Sequence, residues 1–404
     1  MTVALKSQSS LPALIFAALA TLYGIVFLTA ERERALGALL IGAAVAVVLA
    51  ARFGVAERVR QSIGANERTF DIAVIVGVLV TALWFHHEHF ILLMMATSLL
   101  LMVAALGLTV QFGYAGVLNF AGAAFLGIGC YTAAVLTNFT SVPPLLILPL
   151  GGLIAAAIGS ILILPVLRTR GHYAAVVTIA FGILFKTFIE VNDAVGGPQG
   201  MRVGSFTLFG WTFNDPIRIG TFEASFYLVY AVAALVLLVF AFALVRRLER
   251  SWIGLSLDAI RLDEIASACY GLDIARWKIF AFTLGNFLIG MAGALYGHVL
   301  GFIAPNNFTF GDSLIIVSII LLGGIGNPWG VAVAAAFVVM LPEKFQIIQE
   351  YRFALYAVLV ILVLLFRPEG LLPRSLRAYV PGWGAKEASP EGVAPEAPAP
   401  EGTR

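Results

Sequence analysis

The sequence runs to 404 residues, of which 60% are hydrophobic and 12% charged, where soluble domains are about half apolar and about a quarter charged. That composition excludes an ordinary soluble enzyme and points to a chain whose solvent is the bilayer, where apolar side chains face outward as well as inward. The formal net charge of +2 gives no reason to expect a nucleic-acid partner, and Cys130 and Cys269 lie too far apart for a C-x-x-C metal or redox pair.

A helix needs about 20 apolar residues to cross the ~30 Å hydrocarbon layer. In chain order, spans are predicted at 11–30, 35–51, 71–85, 90–110, 115–137, 146–167, 173–190, 225–245, 278–299 and 353–366, with two shorter apolar runs at 313–322 and 331–341. The expected fold is all-α and polytopic, with about 10–12 transmembrane segments, some of them broken. The first span follows Lys6 and is longer than the roughly 7–15 residues of a signal-peptide core, so it is expected to be retained. Residues 1–70 read as extra N-terminal helices with a loop, 71–375 as the core, and 376–404, rich in Pro, Ala and Glu, as a disordered tail.

Lys and Arg accumulate in short cytoplasmic loops. Six of the 25 lie between Arg246 and Lys278, which makes that loop cytoplasmic. Counting crossings outward from it places both termini in the cytoplasm, provided 313–322 and 331–341 cross as two separate segments around GGIGNPWG.

Glycine-rich interruptions stand out. Gly113, Gly116, Gly122, Gly127 and Gly129 lie within Gln111–Tyr131, and Gly323, Gly324 and Gly326 in the later half. Small residues let helices pack closely. They also mark discontinuous helices, and paired breaks in two halves of a transporter point to a translocation site near the midplane. Tyr114, Asn119, Tyr131 and Thr178 are candidates to line a path for a zwitterion, whose charges are costly to desolvate. Each could equally make an ordinary helix-packing hydrogen bond. Lys186 and Glu190, at i, i+4, could pair or snorkel. His86, His87, Glu88 and His89 make half a metal site on paper, but adjacent helical residues point apart, so an interfacial turn is expected. His298 reads as a packed or interfacial histidine.

The segment 251–278 reads as an amphipathic helix between two spans, with Leu262, Ile265, Cys269 and Leu272 on one stripe and Asp263, Glu264 and Ser267 on another side; Gly271 ends or kinks it. Two readings fit: a helix lying on the bilayer surface, or a rigid knob presented to a cytoplasmic partner. No G-x-x-x-x-G-K-[ST], H-E-x-x-H or G-x-S-x-G is present, so this chain is not expected to hydrolyse ATP or to be an enzyme.

Asp263, Glu264, Ile265 and Ala266 followed by Gly271 resemble the acidic-Ala-Ala…Gly docking loop of ABC importer permeases. The likeness extends, over roughly 90–375, to VLRTRGHYAAVVTIAFG, VGGPQG, RLDEIASACYGLDIARWK, FTFGDSLIIVSIILLGGIGNPWG and RPEGLL, which occur in the order seen in permeases of branched-chain amino acid importers, the hydrophobic amino acid uptake class. The resemblance implies an ABC importer permease bundle in a bacterial inner membrane, carrying branched-chain amino acids. It further implies a second homologous permease, two ATPase subunits that hold ATP and Mg, and an extracytoplasmic substrate-binding protein; no cofactor is implied on this chain. Arg261, Asp263, Glu264, Ala266 and Gly271, within a loop at 247–277, would then couple to the ATPases. The chain departs from the pattern at Gly129-Cys130-Tyr131, at Val195-Gly196-Gly197, and at Ile183, which follows Phe181-Gly182 where many relatives carry Glu. The last departure leaves urea or other small amides as an alternative substrate class. An ion-coupled secondary transporter is a further alternative, disfavoured because nearly all Asp and Glu lie in loops or at helix ends.

Overall fold

The computed structural model describes residues 10–168, 173–208, 211–213, 217–219, 222–345, 351–366, 370–372 and 374. The predicted disordered tail at 376–404 lies outside the described residues, as does the TRGH stretch at 169–172.

The helices follow the apolar runs. They are α1 (Leu11–Thr29), α2 (Glu33–Arg52), α3 (Val55–Ala65), α4 (Glu67–Trp84), α5 (His89–Leu108), α6 (Gly122–Phe139), α7 (Pro144–Arg168), α8 (Tyr173–Val191), α9 (Tyr227–Glu249), α10 (Trp252–Leu262), α11 (Glu264–Cys269), α12 (Ile274–Leu300), α13 (Phe310–Gly323), α14 (Pro328–Lys344) and α15 (Arg352–Phe366). Among the described residues, eight helical segments are long and apolar enough to cross a membrane by length and composition, and the fold is an all-α polytopic bundle. The apolar runs at 313–322 and 331–341 form two separate helices, α13 and α14, that pack on each other. The run at 115–137 is not one span. Its first residues, Ala115–Ala121, are non-helical, and α6 begins only at Gly122.

The short α3, with Gly54 in the left-handed region (φ 67°) just before it, joins α2 to α4. Glu67, in the first turn of α4, pairs with Arg246 (3.0 Å) and with Arg250 at the end of α9, tying two helices at the basic end of the bundle. At the opposite end α12 is followed by a short antiparallel pairing of β1 (Met201–Arg202) with β2 (Phe302–Ile303), in which Met201 faces Ile303. The Val195-Gly196-Gly197 departure sits in the loop before β1. Asn192 caps this turn by accepting from the Ala194 N–H (3.1 Å), and Gly196 takes φ 92°, a conformation that favours glycine over any side chain at this position.

The axis of the bundle is α12. Its 27 residues span about 40 Å at 1.5 Å per residue, and α5, α6 and α7 pack along it. Contact is backbone to backbone. A methyl on Gly129 would overlap the Gly290 carbonyl, one on Gly293 the Leu126 carbonyl, and one on Gly107 the Gly285 carbonyl. Without a hydrophobic drive between helices in lipid, such close approach through small residues is what van der Waals cohesion requires. Phe282, Leu288, Ile289 and Leu295 of α12 are buried, whereas the outer faces of α7 and α8 expose Leu153, Ile161, Leu184 and Phe188, as a lipid-facing surface does.

A Gly293→Ala substitution therefore forces α6 and α12 apart and is expected to cost about 1–3 kcal/mol, the range for overpacking. Gly182→Ala on α8, where a Cβ meets nothing within 4 Å, should leave stability unchanged; thermal unfolding of the two detergent-solubilised variants, followed by size-exclusion chromatography, checks the contrast.

Candidate translocation and coupling site

Two breaks interrupt the bundle, and the fold brings them together. In the first, α5 widens into a π-helical turn, Thr109–Tyr114, and then leaves helical geometry until Gly122. In the second, α13 ends at Gly323, and Gly324 (φ 110°) and Gly326 (φ 87°) turn the chain into α14. A Cβ on Gly113 would lie 2.7 Å from the Gly326 Cα, so these turns touch through their backbones. Gly323 in turn packs on Gly330 across the α13–α14 crossing, each leaving no room for a side chain.

A chain that leaves helical geometry inside hydrocarbon frees N–H and C=O groups, which must find partners in protein or water. Here side chains supply them. The Thr178 hydroxyl accepts from the Phe120 N–H (3.1 Å), the Ser313 hydroxyl from the Ala123 N–H (3.1 Å), and the Asn119 side-chain oxygen from the Ala121 N–H (2.9 Å). Asn119 also donates to Gln111 Oε1 (2.7 Å), and Gln111 Nε2 donates to Asn286 Oδ1 (2.9 Å) and to the Phe282 carbonyl (3.1 Å). Three amides from the π-turn, the extended segment and the axial helix thus form one cluster, and all are buried. Asn286 Nδ2 has no hydrogen-bond partner and lies against Gly159 of α7. Beside Asn119 a small void is lined by Leu108, Phe112, Phe120, Val317 and Ile320. In this conformation the amide cluster is closed off, with Gln111, Asn119 and Asn286 all buried.

The second break is satisfied by a later stretch of the chain, residues 371–372. Leu371 N–H donates to the Leu322 carbonyl (2.8 Å) and Leu372 N–H to the Gly323 carbonyl (3.1 Å), while Asn327 Nδ2 donates to the Leu372 carbonyl (3.0 Å). The last residues of the RPEGLL motif thus cap the orphan carbonyls of α13, the role a helix C-cap ordinarily plays.

The loop between α9 and α12 differs from the single amphipathic helix expected for 251–278. It is two helices, broken at Asp263. Ser251 starts α10, and the Asp263 carboxylate accepts from the Ile265 (2.9 Å) and Ala266 (3.0 Å) N–H groups to start α11; a residue whose side chain captures backbone donors in this way favours a cap over a helix interior. Gly271 (φ 82°) ends α11, and Asp273 caps α12. The apolar residues of the stripe face outward. Leu262, Ile265 and Tyr270 are 66%, 79% and 89% exposed, Cys269 is exposed too, and Ser267 is the residue that is buried. Glu264 pairs with Lys278 at 2.6 Å, fixing α11 against the start of α12.

Arg261, the last-turn residue of α10, lies against the first break: a Cβ on Gly116, itself at φ 68°, would meet the Arg261 Cγ at 3.2 Å. The loop, the first break and the second break form one continuous line of contacts. Of the residues singled out in the sequence, Gly116, Asn119, Thr178, Gly323, Gly324, Gly326 and Arg261 belong to this junction. Tyr114 is fully buried beside it. Tyr131 stands apart, higher on α6, edge-on to Phe185 (6.4 Å) and Phe308 (5.9 Å). Asp263, Glu264, Ala266 and Gly271 form the exposed knob. Sequence reasoning passed over Gln111 and Asn286 as individual residues; a buried amide within an apolar span was the available signal.

The histidines prove structural. His89 Nδ1 meets Ser225 Oγ at 2.5 Å, and the His86 carbonyl accepts from the Ser225 N–H (2.8 Å), so the turn at 86–89 fastens α5 to the start of α9. His298 is buried, bonded through Nδ1 to the Gly204 carbonyl (2.8 Å) and edge-on to Phe206.

Residues 90–366 match the family described as "Branched-chain amino acid transport system / permease component". The chain belongs to that family. It is 36% identical over 290 residues to the high-affinity branched-chain amino acid transport system permease protein LivM of Escherichia coli (strain K12), covering 68% of each chain. It is 25% identical over 326 residues to the probable permease LivM of Methanocaldococcus jannaschii, covering 67% of this chain and 90% of that one. It is also 25% identical over 295 residues to LivH of E. coli (strain K12), with the same two shares. No solved structure matches. The chain is a multi-pass membrane permease subunit, not an enzyme, and the matched residues contain both breaks, the amide cluster and the loop; α1–α4 lie before them.

Replacing Thr178 by Val removes the acceptor for the Phe120 N–H and is expected to cost about 1–3 kcal/mol, the penalty of a buried unsatisfied donor. Thr178→Ser should restore most of that stability, and comparing the melting temperatures of the two purified variants decides the point.

Proposed function

We propose that this chain is one of two permease subunits of an ATP-driven importer of branched-chain amino acids, that the knob at 262–271 docks on an ATPase subunit, and that Arg261 passes the docked subunit's movement to the first break. The observation that carries the reading is the seating of Arg261 on Gly116: the residue that ends α10 touches the non-helical segment, and the next residues form an exposed apolar surface. An exposed patch of Leu, Ile and Tyr next to charged residues fits a protein partner. Several further points support the same reading. Relatives named LivM and LivH both resemble this chain, which fits a heteromer of two related permeases. The Arg and Lys of the α9–α12 region collect at the knob's end, which supports a cytoplasmic side for that end, and with it for the N-terminus and the 370–372 strap. ATP and Mg would be held by the partner ATPases, and an extracytoplasmic binding protein would deliver the amino acid to the opposite end.

Import then requires the closed-off amide cluster to open. Docking and undocking of the ATPases bias a two-state element, as a coupling claim requires, and the element is the backbone junction of the two breaks. When it parts, the amides of Gln111, Asn119 and Asn286 exchange partners among themselves for the polar ends of a zwitterion, while Leu108, Phe112, Val317 and Ile320 meet its aliphatic side chain. Ile183, the position that raised urea and small amides as an alternative, is 54% exposed on the outer face of α8 and does not reach this cluster. Ion-coupled transport is disfavoured because, among the described residues, the carboxylates that burial reaches are Asp258 in α10, outside the spanning helices, and Asp71 in the second turn of α4, at the basic end near Arg246.

In proteoliposomes holding the full complex, Glu264→Lys, which reverses the charge paired with Lys278, and Gly271→Leu, which forces a side chain into φ 82°, are each expected to cut ATP-dependent leucine uptake by at least about tenfold while the chain remains inserted. Normal uptake by both variants would sink the coupling assignment; urea uptake in place of leucine uptake would replace the substrate.

A further inference from the structure

A cavity of about 380 Å³ lies between α1, α4, α5 and α14, lined by Gly24, Leu28, Val78, Met95, Leu99 and Met340 among others. It is apart from the junction of the breaks, and its outer wall, α1, precedes the residues that match the family. The cavity sits wholly along helices of the bundle, between their ends, so its surroundings are hydrocarbon. An apolar void of this size forfeits the packing contacts of its lining while empty, stays free of water, which needs polar partners, and accepts apolar ligands. Of the polar groups in its wall, Thr21 Oγ1 donates to the Ala17 carbonyl and Thr81 Oγ1 to the Gly77 carbonyl, both at 2.9 Å, and Tyr23 to the Leu39 carbonyl; the Ser98 hydroxyl is left without a partner, one group where a water needs two or more.

One end of the cavity carries charge. Leu28 and Leu341 line that end, and Lys344 lies one turn beyond Leu341. Lys344 Nζ donates to the Leu28 carbonyl (2.6 Å) and to the Ala30 carbonyl (3.5 Å), and an ammonium has three protons to give. The exposed carboxylate of Glu31 lies near enough to act electrostatically on Lys344. A cation at the end of an apolar slot, with a carboxylate near enough to act on it, matches a zwitterionic headgroup above an acyl chain.

We infer that this cavity holds one acyl chain of a zwitterionic aminophospholipid, its phosphate at Lys344 and its amine toward Glu31, so that lipid joins the added N-terminal helix to the permease core. Two variants test it. Gly24→Trp puts an indole into the cavity, and a Cβ there meets nothing within 4 Å, so the fold is expected to persist; Lys344→Gln removes the headgroup contact and leaves the cavity open. Native mass spectrometry of the full chain, released from nanodiscs of mixed phosphatidylethanolamine and phosphatidylglycerol, should show one phosphatidylethanolamine retained by the unaltered chain. Retention should fall at least tenfold in Gly24→Trp and several-fold in Lys344→Gln. Retention of phosphatidylglycerol instead, equal retention by Gly24→Trp, or no retained lipid with α1 cross-linking to a second permease in the assembled complex would each overturn the inference.

Discussion

Everything in this bundle answers to one constraint: backbone polar groups released inside hydrocarbon must be hydrogen-bonded within the protein. The seven residues from Ala115 to Ala121 leave helical geometry, most of them buried or half-buried; Thr178 and Asn119 accept from the Phe120 and Ala121 N–H groups, and Ser313 accepts from the Ala123 N–H at the start of the helix that follows. The break between α13 and α14 poses the same problem and is answered by backbone, through Leu371 and Leu372. A membrane protein keeps such costly irregularity where movement or a path needs it.

The second constraint is closeness. Carbonyls of Leu126, Gly285 and Gly290 lie where any side chain on the facing glycines would clash, so α5, α6 and α12 behave as a welded unit. The Gly113–Gly326 contact is different in kind, since it joins two turns rather than two helices and adjoins Arg261 through Gly116. A rigid core beside a jointed seam is the arrangement in which a small displacement at the surface becomes a discrete rearrangement inside. In the function proposed here, partner docking outside, at Leu262, Ile265 and Tyr270, and amide partnering inside, at Gln111, Asn119 and Asn286, are two ends of one element.

Much of this was legible in the sequence. The apolar runs located the helices to within a few residues, and the glycine clusters at 113–129 and 323–326 located both breaks, because apolarity and small size act locally. The α10–α11 division was not, since Leu262, Ile265, Cys269 and Leu272 have the spacing of one continuous helix; Asp263 overrides it by capturing two N–H groups. The amide cluster joins Gln111 to Asn286 across 175 positions, and the strap joins Gly370–Leu372 to Leu322–Asn327; no periodicity reports such pairings. Tyr131, chosen for its polarity within a glycine-rich span, packs among aromatic rings instead.

The central claim is that the loop acts on the interior through Arg261 and Gly116. The most direct measurement compares ATP hydrolysis with ATP-driven leucine uptake in the same proteoliposomes, for the complex carrying Arg261→Ala. With Asp263, Glu264 and Gly271 intact the knob still docks, so hydrolysis persists while uptake is lost; uptake retained in proportion to hydrolysis would contradict the account.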